Sequence, residues 1–91
     1  MIFEIRLSDK VKEDLVRLAK SEPKAFVKAS RLIEELRIHP KTGLGHPEPL
    51  KGKPEDRWSR HITEKHRLIY RIFEAAVYVD VLAAYGHYED K

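Results

Sequence analysis

A chain of 91 residues, 42% hydrophobic and 36% charged, can build one small core and leaves no room for a second module. It has no cysteine, which excludes a disulfide framework and any thiolate metal site. No run of about 18 apolar residues is present, and the N-terminal MIFEIRL lacks the basic-then-apolar order of a signal peptide, so a cytoplasmic protein with no membrane span is expected. The net charge of +3 is uneven: residues 1–30 carry +2 (seven basic, five acidic), 31–71 carry +4 (ten, six) and 72–91 carry −3 (one, four). A basic middle suits a nucleic acid or an acidic protein as partner.

Met1, Phe3, Ile5 and Leu7 alternate with Ile2, Glu4 and Arg6, the period of a strand with one buried face. Ser8 or Asp9 can cap the helix that follows, whose apolar stripe is Val11, Leu15, Leu18 and Ala19. Ser21-Glu22-Pro23 ends that helix and starts a second, since proline is tolerated in a first helical turn. Phe26, Ala29, Ile33 and Leu36 line its face up to about His39, and Pro40 stops it. The two helices read as an αα-hairpin.

Residues 40–56 hold four of the five prolines and three of the four glycines, a long loop of the kind that is usually functional or mobile. Beyond it Trp58, Arg60 and Ile62 alternate with Ser59, His61 and Thr63. Glu64-Lys65 reads as a turn. His66, Leu68, Tyr70 and Ile72 then share one face, opposite Arg67, Ile69, Arg71 and Phe73. A turn at Glu74-Ala75 leads into AVYVDVLAAY, a last β-branched strand. The order is βααβββ, an α+β class in which a helical hairpin packs on a small, mainly antiparallel sheet, with residues 1–91 as a single domain.

The densest chemistry lies in RWSRHITEKHRLIYR, residues 57–71, which places arginines at 57, 60, 67 and 71 and histidines at 61 and 66 on two adjoining strands. Guanidinium and imidazole groups on a sheet are suited to a phosphodiester. Cleaving RNA without a metal needs a base for the 2′-hydroxyl, cations for the phosphorane and an acid for the leaving 5′-oxygen. Glu48, held between Pro47 and Pro49, the basic residues of 51–71, and His87 supply one candidate for each. The histidines lack zinc-site spacing, so neither metal nor other cofactor is expected. By itself, His66 reads as a structural residue bonding the adjacent turn, and Trp58 and Tyr70 read as core.

The segments GHPEPLKG, WSRHITEKHRLIY and GHY resemble the YoeB/Txe branch of the RelE-like toxins of bacterial type II toxin–antitoxin systems. The resemblance covers nearly the whole chain, and WSR-x-IT-E-x-HRL-x-Y is its most specific string. It implies the RelE-like fold and a ribosome-dependent endoribonuclease that cuts messenger RNA in the ribosomal A site and halts translation. It also implies a YefM/Axe-like antitoxin as partner, beside the ribosome and mRNA, and leaves a homodimer open. Carried over by position, Glu48 is the general base, Arg67 the phosphate-stabilising arginine, His87 the general acid and Tyr88 its aromatic neighbour. Lys51, Lys53, Arg60 and His61 fall on the RNA- and phosphate-binding surface.

Two positions depart from the family pattern. His61 stands where a second arginine is common, and it carries a full charge only below its ordinary pKa of about 6.5. The chain also continues past His-Tyr with Glu89-Asp90-Lys91, whose carboxylates would tend to raise the pKa of His87. Two other functions remain readable from the same residues. One is a non-cleaving module that docks on the ribosome or antitoxin; the other is a gyrase-directed toxin of the same fold, disfavoured by the Glu48, Arg67 and His87 set.

Overall fold

The computed structural model describes residues 1–51 and 56–86. Seven elements follow in order: β1 (Glu4–Leu7), α1 (Asp9–Ser21), α2 (Pro23–Leu36), β2 (Glu48–Pro49), β3 (Arg57–His61), β4 (Arg67–Phe73) and β5 (Tyr78–Ala83). The strands form one sheet in the order β1-β5-β4-β3-β2. β1 runs parallel to β5, and the other pairings are antiparallel. The α+β arrangement matches the sequence expectation, with one addition. Glu48-Pro49, inside the predicted loop, forms a short edge strand paired as Glu48 with Ser59 and Pro49 with Trp58. An edge tolerates proline because no further strand requires its missing N–H.

Ser8 caps α1, its hydroxyl oxygen accepting from Val11 N–H at 3.0 Å, and its own O–H donates to the Leu82 carbonyl at 3.2 Å. Helix and sheet are therefore tied at the start of the hairpin. The buried stripe of α1 is Val11, Asp14 and Leu18, whereas Ala19 is exposed. Asp14 is tolerated inside because its carboxylate accepts from Lys10 Nζ and from Ala84 N–H, both at 2.9 Å. Pro23 opens α2, which buries Ala25, Ala29, Leu32 and Leu36, with Phe26 and Ile33 half-buried beside them. These side chains meet Leu68, Tyr70, Ile72, Val79 and Val81 from the sheet. Among the described residues no helix is long and apolar enough to cross a membrane.

Arg60 joins the layers at the other end. Its side chain is fully buried, and all five N–H groups find acceptors. Nε donates to Tyr70 Oη at 3.0 Å, Nη1 to Glu35 and the Leu44 carbonyl, and Nη2 to the His39 and Thr42 carbonyls. Tyr70 in turn donates to the Pro40 carbonyl at 2.8 Å. The segment from His39 to Leu44 is thus wrapped around one guanidinium. Gly45 closes the wrap at φ 82°, its carbonyl accepting from His61 N–H at 2.6 Å. A Cβ there would come within 3.0 Å of the His61 carbonyl and 3.2 Å of Leu32, so a larger residue would be strained by the backbone angle and crowded by its neighbours.

Burial pushes the Glu35 carboxyl up, but hydrogen bonds from Arg60 and Leu44 N–H and the arginine's charge outweigh it, leaving the pKa below the usual 4.5. The Tyr70 hydroxyl is raised above 10.0 by burial, only partly offset by Arg60. Replacing Arg60 by leucine strands Glu35 and several carbonyls, and chemical denaturation should show a loss of about 3–5 kcal/mol. Because Glu35 titrates lower folded than unfolded, its contribution is complete above about pH 4.5 and disappears as pH falls through the lower folded value. Glu35→Gln should flatten that acid limb of a melting-temperature profile; an unchanged limb would assign acid sensitivity to other carboxylates.

Candidate functional site

Strand pairing sorts the basic segment onto two faces. In β3 and β4 the partners Trp58–Tyr70 and Arg60–Leu68 point toward the helices, and Arg57–Arg71, Ser59–Ile69 and His61–Arg67 point away from them. Glu48 joins this second face through its pairing with Ser59. The face carries a row of Glu48, Ser59, Ile69 and Ala83, in which the last three are buried and form a floor. Next to it lies the His61–Arg67 row. Glu48 and Arg67 are separated by two strand spacings, about 10 Å, and by two residues along the strand, about 7 Å. Two long side chains at that separation can reach the same phosphodiester from opposite sides.

Each candidate is positioned by a different device. Glu48 is exposed on a strand that Pro47 and Pro49 stiffen and that Leu50 N–H extends with a 2.9 Å bond to the Arg57 carbonyl. The chain enters it through His46, a non-glycine residue at φ 53° whose ring lies 5.8 Å from that of His61. Arg67 is half-buried at the start of β4, and its Nη1 donates to the Thr63 and Glu64 carbonyls at 3.3 and 3.4 Å. These long bonds steady the guanidinium and leave its remaining donors for an anion. Its backbone N–H donates to the Gly86 carbonyl at 2.9 Å. Gly86, the last described residue, therefore lies beside Arg67, and it immediately precedes His87 in the sequence.

Lys51 is exposed just past β2, and His61 is half-buried on the same face as Arg67. Arg60 is not on this surface. The expectation that it binds phosphate is corrected by its complete burial on the opposite face, where every donor is already engaged. Lys53, His87, Tyr88 and the Glu89-Asp90-Lys91 tail lie outside the described residues. Arg57 and Arg71, named in the basic segment without a role, extend the cationic face, and Arg6 joins them across Asp80. Arg71 stacks on Phe73 and Arg6 on Tyr78, with guanidinium carbons 4.3 and 3.6 Å from the ring centroids. Tyr70 is fully buried and Trp58 packs against the core, as expected for both. Among the described residues no three histidines or carboxylates stand close enough together to hold a metal ion.

The fold recurs in known proteins. A family model described as "YoeB-like toxin of bacterial type II toxin-antitoxin system" matches residues 7–88. A YoeB toxin of Streptomyces coelicolor is 44% identical over 59 residues, covering 65% of this chain and 70% of that one. Another from Mycobacterium bovis is 38% identical over 76 residues, 84% of this chain and 87% of that one. Among solved structures, a YoeB/ParE toxin from Agrobacterium tumefaciens superposes with a TM-score of 0.84 at 30% identity, covering 94% of this chain and all of that one. The YoeB dimer of Staphylococcus aureus gives 0.81, and the heterotetrameric YoeB–YefM toxin–antitoxin complex of the same organism gives 0.77. Both are 26% identical and cover 97% of this chain and all of theirs. With a family match spanning nearly its whole length and a sheet of the same form, this chain belongs to the YoeB-like toxins of bacterial type II toxin–antitoxin systems.

Proposed function

We propose that the protein is a ribosome-dependent endoribonuclease that cuts messenger RNA in the ribosomal A site. The observation that carries this reading is the placement of Glu48 and Arg67 on one face of the sheet, flanking a buried floor. Glu48 takes the proton of the 2′-hydroxyl, and the resulting oxygen attacks the adjacent phosphorus. Arg67, aided by His61, Lys51 and Lys53, neutralises the dianionic phosphorane. The bond to the 5′-oxygen then breaks, His87 protonates that oxygen, and Tyr88 supports the nucleotide being cut. The products are a 2′,3′-cyclic phosphate and a free 5′-hydroxyl. No metal enters the scheme, because base, cation and acid are all side chains.

The relatives also supply the partners. A YefM-like antitoxin would cover the toxin, as in the staphylococcal complex, and a homodimer would follow the staphylococcal dimer. An acidic antitoxin segment lying across Arg67, Arg57 and Arg71 would compete directly with RNA phosphate for the same cations.

Incubating the full chain with translating ribosomes and mapping new messenger 5′ ends tests the proposal. Codon-aligned cuts that disappear with His87→Ala support it; ribosome binding without cuts, or accumulation of gyrase–DNA adducts, would replace it. Glu48→Gln should lower cleavage by about 10²- to 10⁴-fold, the usual worth of one positioned base. Arg67→Ala should lose most cleavage while keeping a cooperative thermal transition, since its guanidinium lies outside the core; unfolding would reassign it to the structure. His61→Arg should raise activity or flatten its dependence between about pH 6 and 8, where a histidine loses its charge. Identical profiles for the two proteins would make His61 a bystander.

A further inference from the structure

His66 is a buried histidine whose ring does not bond the neighbouring turn. Its backbone does that: the His66 carbonyl accepts from Ile62 and Thr63 N–H, and Thr63 Oγ1 accepts from His66 N–H. The ring instead spans two distant parts of the chain. Its Nδ1 lies 2.9 Å from the Gly86 N–H, and its Nε2 lies 2.8 Å from Glu22 Oε2 at the junction of α1 and α2. An amide N–H can only donate, so Nδ1 must carry a lone pair. The ring proton then sits on Nε2 and points at the Glu22 carboxylate, which fixes the tautomer. The hydrogen bond from His66 is the main reason the Glu22 carboxyl titrates below its ordinary 4.5.

The surroundings hold the ring in place. It packs on Tyr85 with centroids 4.4 Å apart, and Arg17 covers that tyrosine at 3.9 Å. Gly86 itself is bonded at both ends, its N–H to His66 and its carbonyl to Arg67 N–H. Its φ of 75° gives a sharp exit that other residues seldom adopt, although nothing within 4 Å would obstruct a Cβ. Two consecutive residues, His66 and Arg67, thus grip the last residue before His87.

We propose that His66 is a positioning residue for catalysis: by accepting the Gly86 N–H while Glu22 holds its tautomer, it fixes Gly86 beside Arg67, and the residue next in sequence is the proposed acid. This rests on the ribonuclease reading for its catalytic consequence. A core histidine with satisfied nitrogens would stabilise the fold equally at either nitrogen. A positioning histidine depends on Nδ1.

Isosteric variants separate the two roles, because an asparagine amide oxygen can replace the Nδ1 acceptor and a glutamine amide reaches only the Nε2 position. His66→Asn should keep the Gly86 amide protected from exchange and cleavage on ribosomes within about threefold of the parent, despite losing Glu22. His66→Gln should lose about tenfold in Gly86 protection, the size of one hydrogen bond, and at least about tenfold in single-turnover cleavage with ribosome binding unchanged. Equal losses in the two variants, or full cleavage in a glutamine variant whose Gly86 amide exchanges freely, would overturn the proposal. In the unmodified chain, nitrogen NMR of His66 should show Nδ1 bare and Nε2 protonated; a protonated Nδ1 would overturn it without any variant. A parent protein that cuts no messenger would defeat the ribonuclease reading alone, since the amide protection and tautomer still decide whether the latch exists.

Discussion

The guanidinium of Arg60 is the constraint on which this structure turns. A charge buried in a 91-residue protein is costly unless every donor is satisfied, and satisfying five of them gathers Glu35, Tyr70 and three loop carbonyls at one point. That gathering converts a proline- and glycine-rich stretch into a wrapped segment. Gly45 carries the wrap onto β3, and the next residues form β2 beside Ser59. The carboxylate proposed as base is therefore held on an edge strand whose position follows from a charge on the opposite side of the sheet. Removing the arginine would loosen a site that it never touches.

Much of this was legible in the sequence, because strand parity is a strict rule. The alternation of Trp58, Arg60 and Ile62 with Ser59, His61 and Thr63 places Arg60 between two core positions, which is already a sign of burial. The family resemblance assigns it to the phosphate surface instead. Parity also put His66 on the inner face with Leu68, Tyr70 and Ile72, where the structure finds it. What periodicity could not supply were the partners. His66 meets Glu22 across 44 residues, and Ala84 N–H meets Asp14 across 70. A buried Asp14 looks like a break in an apolar stripe until the amide it satisfies is known. The short β2 is hidden in the sequence for a related reason, since Pro49 argues against a strand except at an edge.

Two polar supports of different kinds hold the candidate site from behind. Arg60 works through a permanent charge and several carbonyls, and it secures the side on which Glu48 lies. The ring of His66 works through a single tautomer and one amide, and it secures the side from which Gly86 leads on. Between them the outer face pairs Arg57 with Arg71 across β3 and β4 and keeps Arg67 four residues earlier on β4, a spread of charge that suits a polyanion lying across the sheet.

The parallel pairing of β1 with β5 joins Leu7 to Val81, and Ser8 bonds to Leu82 across 74 residues. Contacts that distant pay the largest loop-closure entropy and form late. The helical hairpin and the β3–β4 hairpin are local and can assemble during synthesis, but the floor residue Ala83 arrives only with β5. A growing chain therefore lacks a finished site until nearly all of it has been translated.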